Sequence, residues 1–398
     1  PCVPEKGSLG ASGDLGPLAY IALVATGAWR AKYQGEIMSG EEALKRAGLE
    51  AARLSYKEGL AMINGTSMMV GVAAPLLYGA KRLVKQFCLV SAISLEALKG
   101  KIMPYHPTVH KNKPHPGQIK VAGAIWTTLA DSKMVVQDEE VDRWLSSMRS
   151  GEPQGMDQQI EDAYSMRATP QILGPSLDAI WSADQTLKIE INSTNDNPLV
   201  IVEEGDAFHN AHFHGQYVSQ AMDHLSIAVV NMCNLSDRRI DRYLDPHHNN
   251  GLPPFLCKED PGLRHGLMGG QYCAASIMAD MRSLCHPVSI QTLTTTGDFQ
   301  DHVSMGLVAA RRARDIVDNA YYIPAFELIC ACQAVDQRDE GAAALSSVTR
   351  SIYEMVRELV PYLDHDEALG DYISDVSNLL REGRLLTALP SGDLDWDD

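Results

Sequence analysis

Apolar residues along the chain recur mostly at helical spacing. Val218, Met222, Leu225, Val229 and Met232 repeat in steps of four and three, which predicts a helix over 216–234, and Ile352, Met355, Val356 and Leu359 mark another near the C-terminus. From Val70 to Leu98 the chain is apolar over a length that no strand needs, so one or two long buried helices are expected. Further helices are predicted over 18–29, 118–131, 139–148, 267–284, 304–317, with Arg311, Arg312 and Arg314 exposed, and 325–334 after an interruption at Pro324.

Turn-forming and polar stretches separate these elements. Ser39 followed by Glu42 is a capping signature inside a polar surface stretch, 32–53. Residues 104–117, with Pro104, Pro107, Pro114, Pro116 and three histidines, read as an ordered loop or surface arm. Asn64-Gly65 and 150–157 read as turns, 192–198 as a hydrogen-bonded turn, 246–262 as loop, and the acidic tail 393–398 as frayed. Tyr164 and Arg167 share a face if the backbone there is helical, and Pro170 stops or kinks that helix. No repeat and no Gly/Ser-rich linker divides the chain, so one helical body over 1–398 is expected.

Composition agrees with an all-α fold. Hydrophobic residues make up 45% while aromatics are only 6%, with 16 Met, which suits packed helices better than sheets. The net charge of −17, without a basic stripe, argues against nucleic acid as a partner. The eight cysteines lack paired zinc spacing and sit in apolar segments, as buried free thiols would, and a reducing cytoplasm is the default compartment. No apolar run reaches the roughly 18 residues of a membrane span, so no membrane association is expected. His209, His212 and His214 are spaced three and two apart rather than the four that suits zinc on a helix, and no metal is expected.

The segment Gly7-Ser8-Leu9-Gly10-Ala11-Ser12-Gly13-Asp14-Leu15-Gly16-Pro17-Leu18 carries the sharper chemistry. Its glycines permit a tight loop and Pro17 suits a first helical turn, so Asp14 or Ser12 reads plainly as a helix cap. The order Ala-Ser-Gly admits another reading. A glycine amide nitrogen is the least hindered backbone nucleophile, and closure onto the carbonyl two residues earlier with loss of two waters would turn Ser12 into an exocyclic methylidene. Such a ring is an electrophile, which no ordinary side chain supplies, and a nearby helix N-terminus would stabilise negative charge on it.

In order, the chain also shows Ile63-Asn64-Gly65-Thr66, Tyr164-Ser165-Met166-Arg167 with Pro170-Gln171, Asn195-Asp196-Asn197-Pro198, Phe213-His214-Gly215 and Gln300-Asp301-His302-Val303-Ser304. In these motifs it resembles the aromatic amino acid ammonia-lyase and 2,3-aminomutase family, which includes the histidine, phenylalanine and tyrosine ammonia-lyases. Within that family it is most similar to bacterial phenylalanine and tyrosine 2,3-aminomutases. The resemblance implies an elongated bundle of long antiparallel helices, fumarase/aspartase-like, at the core of a homotetramer. It implies that Ala11, Ser12 and Gly13 form the 4-methylideneimidazol-5-one (MIO) group autocatalytically, with Asp14 assisting cyclisation. Asn64 would hydrogen-bond that group and the attacking amine, and Tyr164 would help proton movement at the amine. Arg167 would bind the substrate carboxylate through a bidentate fork, and Phe213 would pack on the substrate. Asn195 and Met268 join the substrate-binding set. Gln300 stands where histidine lyases carry Glu and members acting on other aromatic substrates carry Gln.

Two departures qualify the resemblance. His265 and Tyr272 replace the Leu and Phe expected of a phenylalanine pocket, which points to a polar ring substituent such as that of tyrosine. The family places roughly 140 further residues before the loop, including a mobile segment with a catalytic tyrosine. The expected function is an ammonia-lyase or 2,3-aminomutase acting on an aromatic L-α-amino acid. The alternative is a non-catalytic or complementing C-terminal subunit of a split MIO enzyme, with a separate N-terminal chain supplying the tyrosine.

Overall fold

The computed structural model describes residues 1–137, 143 and 161–396. It is mostly helical, with two short antiparallel ribbons, Arg30–Tyr33 with Glu36–Ser39 and Leu199–Ile201 with Asp206–Phe208. Its contacts cluster into two compact units. One comprises Pro1–Leu77, Trp181–Ser226 and Cys285–Asp315; the other comprises Tyr78–Ile180, Ile227–Leu284 and Ile316–Asp398.

The apolar run after Val70 is one helix, Ser67–Ala97, with Pro75 on an exposed position inside it. The helix predicted from the 218–232 stripe extends over Gln216–Leu244, ten residues beyond Asn234. In the second unit the helix Tyr322–Asp336 is buried on every face from Ile323 to Val335 and packs against Gly370–Arg381, Met268–Leu284 and Ser347–Arg357. An all-round apolar helix of this kind belongs at the centre of a large core. Buried within the same unit, Glu327 accepts from Arg239, Ser94 and Ser236, with Arg239 Nη2 at 2.9 Å and Ser94 Oγ at 2.6 Å. A buried carboxylate survives there because a guanidinium and two hydroxyls replace its hydration.

Several sequence expectations are corrected. The polar stretch 32–53 holds a hairpin, Arg30 opposite Ser39, before the helix Gly40–Ala47, and Ser39 does cap that helix by accepting from the Glu42 amide at 3.2 Å. Four-residue strands leave too few alternations to be read from the pattern. Residues 104–117 are not a plain loop: Pro107 and Pro116 start helices, and although most of the segment is exposed, His110 is buried with its Nε2 2.9 Å from the Pro104 carbonyl. The helix bearing Tyr164 and Arg167 does stop before Pro170, after a single turn, but Pro170 also opens the next helix, Thr169–Ile191, because the first turn has no use for the missing N–H. The first helix starts early and ends early, at Leu15–Ala25, since Gly27 turns at φ 86°. Arg311 and Arg314 are half-buried and share Glu5. Cys273 is exposed rather than buried. The tail is held as far as Trp396, which is buried, while Lys85 pairs with Asp393 at 3.1 Å. The helix predicted over 139–148 and the turn over 150–157 lie outside the described residues. Among the described residues no helix is long and apolar enough to cross a membrane.

Candidate functional site

The loop before the first helix is doubled back on itself. Gly10 and Gly13 adopt φ 73° and 74°, and bridges join Gly10 and Ala11 to Gly13. The left-handed region alone favours glycine, and contact makes it obligatory at 13: a Cβ there would lie 1.9 Å from the Gly65 carbonyl oxygen. That proximity is a backbone clasp, in which the Asp14 amide donates to Gly65 O at 2.7 Å and the Gly65 amide donates to Ser12 O at 3.2 Å. The Asn64-Gly65 turn is therefore the second wall of the Ala11-Ser12-Gly13 loop.

Asp14 stands in the capping position of the first helix and does not cap it, which corrects the simple reading of the motif. Its Oδ1 accepts from Ser8 Oγ at 2.9 Å and its Oδ2 from the Met69 amide at 2.7 Å, so the carboxyl ties the loop to the start of Ser67–Ala97. The residue is fully buried, and burial, outweighing those hydrogen bonds, pushes its carboxyl up to about 6. A group titrating there exchanges protons near neutrality.

Around the second wall the 195–198 segment supplies polar contacts. Asn64 Nδ2 donates to Asp196 Oδ1 at 3.0 Å, and Lys57 Nζ lies 2.5 Å from Asp196 Oδ2. Asn195 Nδ2 donates to Thr66 Oγ1 at 2.7 Å and to Glu190 Oε1 at 3.3 Å, while Thr66 Oγ1 donates to the same Glu190 oxygen at 2.6 Å. The Asn64 Oδ1 atom is buried and has no hydrogen-bond partner among the described residues.

The segment around Gln300 closes a third side. Gln300 Nε2 donates to Ser12 Oγ at 3.3 Å, and its Oε1 accepts from Thr295 and Thr296 hydroxyls at 3.3 and 3.0 Å. The amide nitrogen of Gln300 thus faces Ser12 while its oxygen faces the two Thr hydroxyls. Ser304 Oγ donates to Gly10 O at 3.2 Å, and the Met305 amide donates to Leu9 O at 2.8 Å. Phe213 is half-buried beside His214, whose ring lies 5.7 Å from that of His302. A cavity of about 720 Å³ in the same unit is lined by Glu190, Asn195, His214, Gln216 and Tyr217, among others. Ala11, Ser12, Gly13, Asp14, Asn64, Asn195, Phe213 and Gln300 all belong to this unit.

The remaining sequence-predicted residues belong to the other unit. Tyr164 and Arg167 form a single helical turn, Tyr164–Arg167, with the guanidinium 5.3 Å from the exposed Tyr164 ring and 2.5 Å from Glu161. Arg167 Nε is buried without a hydrogen-bond partner among the described residues. His265 and Tyr272 are exposed, Met268 opens the helix Met268–Leu284, and the Asp366 carboxylate accepts from the His265 and Gly266 amides at 2.9–3.0 Å.

Lys57, Glu190 and the roles of Thr66 and Asp196 were not singled out from the sequence. Thr66 and Asp196 sit inside motifs that were; Lys57 carries no local signal, since its partner lies far along the chain. Among the described residues no group of three or more His, Cys, Asp or Glu is arranged to hold a metal ion.

A family model for aromatic amino acid lyases matches residues 1–358. The chain is 40% identical over 389 residues to a histidine ammonia-lyase of Natranaerobius thermophilus, covering 98% of this chain and 73% of that protein. It is 41% identical over 390 residues to a tyrosine ammonia-lyase of Cupriavidus metallidurans, covering 97% and 73% respectively. Among solved structures, the phenylalanine aminomutase of Pantoea agglomerans superposes with a TM-score of 0.92 at 55% identity, over 96% of this chain and 73% of that one.

Proposed function

Because the chain belongs to the aromatic amino acid lyase family and is an enzyme of the lyase or aminomutase type, we propose that its substrate is an aromatic L-α-amino acid, tyrosine- or phenylalanine-like. The product is an arylacrylate with ammonia, or a β-amino acid. The prosthetic group of the proposal is 4-methylideneimidazol-5-one, made from Ala11, Ser12 and Gly13.

The residues present fit that group. The observation that carries the reading is the convergence on Ser12: a loop doubled back between two left-handed glycines, clasped by the Asn64-Gly65 turn, with the Gln300 amide nitrogen on Ser12 Oγ. When present, the group supplies an electrophile for the substrate nitrogen, which makes a poor leaving group a better one.

The chain's own side chains do the rest. Asp14 exchanges a proton near neutral pH at the loop that must lose water, the role we assign it in cyclisation. Gln300 presents N–H to the Ser12 position, and Asn64 faces the amine. We assign Arg167 to the substrate carboxylate, where a planar fork binds two oxygens, Tyr164 to proton movement at the amine, and Phe213, Asn195, His265, Met268 and Tyr272 to substrate contact. The 55% identity to a phenylalanine aminomutase and the neutral amide at Gln300 favour a carbocyclic ring.

A second reading, histidine as substrate, is favoured by the 40% identity to a histidine ammonia-lyase. Incubation with phenylalanine, tyrosine and histidine, followed by product chromatography, separates the two. In the same preparation the intact mass should be low by two waters, and Ser12→Ala should show its own full calculated mass, with no water lost, while leaving the helical circular dichroism unchanged. A full-mass protein that is nevertheless active would overturn the proposal. A homotetramer belongs to the same reading. Ile189, Val202 and Tyr217, 69%, 81% and 77% exposed, are apolar surface that a second copy would cover, and light scattering measures the assembly.

A further inference from the structure

We propose that Asp196, clamped by Lys57, is a positioning residue that fixes which end of the Asn64 amide meets the substrate, leaving Asn64 Oδ1 as the acceptor for the amine of the bound amino acid. This rests on the substrate reading above and extends it to two residues with no role there.

The argument is one of donors and acceptors. An amide can turn end for end at little cost, and its two ends differ only in hydrogen bonding. An ionised carboxylate accepts and cannot donate, so Asp196 Oδ1, 3.0 Å away, selects the Nδ2 end of Asn64. The other end, Oδ1, is then committed to the opposite direction. It is buried, in a residue only 8% exposed, and no group among the described residues donates to it. An acceptor in that state is unfavourable until an N–H reaches it. The neighbouring amide is not available, because Asn195 Nδ2 is spent on Thr66 and Glu190.

Asp196 selects the amide end only while it is ionised. Burial raises its pKa, but hydrogen bonds from Lys57, Asn64 and the Asn197 amide, with the charge of Lys57, hold it below the ordinary carboxylate value. Lys57 reaches Asp196 Oδ2 at 2.5 Å and also donates to the Pro198 carbonyl, so the cation is fixed to the same segment at two points. An amine carries N–H donors that suit Oδ1, and the deaminated acrylate does not. The arrangement therefore recognises the amino group separately from the ring and carboxylate.

The test uses the whole chain in a Ser12→Ala background, which cannot cyclise, so that binding is read without turnover. Calorimetry is run with L-phenylalanine and cinnamate, and in parallel with L-tyrosine and 4-coumarate. Asp196→Asn, which lets the Asn64 amide turn, should weaken the amino acids about 10-fold and leave the acrylates unchanged. Asp196→Glu should recover much of the loss. Lys57→Met should act in the same direction and more weakly, and it answers the question if Asp196→Asn does not fold. Equal weakening of both ligand classes, or of neither, would overturn the inference. If the Ser12→Ala chain binds the acrylates but not the amino acids, the inference fails alone; if it binds neither, the substrate reading fails and the inference falls with it.

Discussion

Replacing Asp14 by Asn tests the electrostatics of the loop directly. The two side chains have the same shape, and the amide can keep both contacts, its oxygen accepting from the Met69 amide and its nitrogen donating to Ser8 Oγ. What changes is the charge. Burial raises the carboxyl from 3.8 to about 6, so the unfolded chain ionises at a pH where the folded protein still holds the proton. The sign follows: the contribution of Asp14 to stability is greatest below 3.8, declines as pH rises toward 6, and is flat above it. That gap corresponds to ~3 kcal/mol lost by the wild type and not by Asp14→Asn. Denaturant unfolding of both proteins between about pH 4 and pH 8 should give near-equal stabilities at the acid end and a variant more stable by up to ~3 kcal/mol at the alkaline end. Taking the difference between the two proteins at each pH cancels every other titrating group. A difference that stays constant across the range would refute the burial argument. The same variant should show incomplete loss of the two waters by mass, because an amide cannot exchange the proton that the carboxyl does.

Three further outcomes follow from the geometry. Gly13→Ala should unfold at lower temperature, by about 1–2 kcal/mol from its left-handed φ and more from the Cβ set 1.9 Å from Gly65 O, with intact mass showing an uncyclised loop. Gln300→Glu should shift kcat/KM toward histidine and away from phenylalanine and tyrosine by about 10–100-fold, read from competitive product ratios, because a carboxylate replaces the N–H that Gln300 offers at Ser12. Glu327→Ala should cost about 3–5 kcal/mol in thermal or chemical unfolding, since it strands Arg239 in a fully buried site, whereas Arg239→Met with Glu327→Met should recover much of that loss.

Much of the helical framework was legible before any coordinates, and the reason is redundancy. A helix such as Gln216–Leu244 states its buried face many times over, in Val218, Met222, Leu225, Val229 and Met232, so no single residue has to be read correctly. The family was legible for a similar reason, since six short motifs in order are a strong constraint even where each alone reads as a turn or a cap. Proline at 170 was legible in part, because its effect depends on its place: the turn Tyr164–Arg167 stops before it, as read, while its position in the first turn of Thr169–Ile191 went unread. The hairpin over Arg30–Ser39 went unread because each strand offers only four residues.

What the sequence determined by itself, then, is local: where helices run, which residues must be glycine near the loop, and which side chains carry chemistry. Tertiary structure alone decided the partners. Asp14 looks like a helix cap in sequence, and only the fold turns its carboxyl toward Ser8 and the Met69 amide and strips it of water. Lys57 and Asp196 are unremarkable apart until folding brings them to 2.5 Å and sets them against Asn64. Helical periodicity acts over a few residues and is written in the order of the chain, whereas desolvation and pairing depend on what the rest of the chain places nearby, which no short stretch encodes.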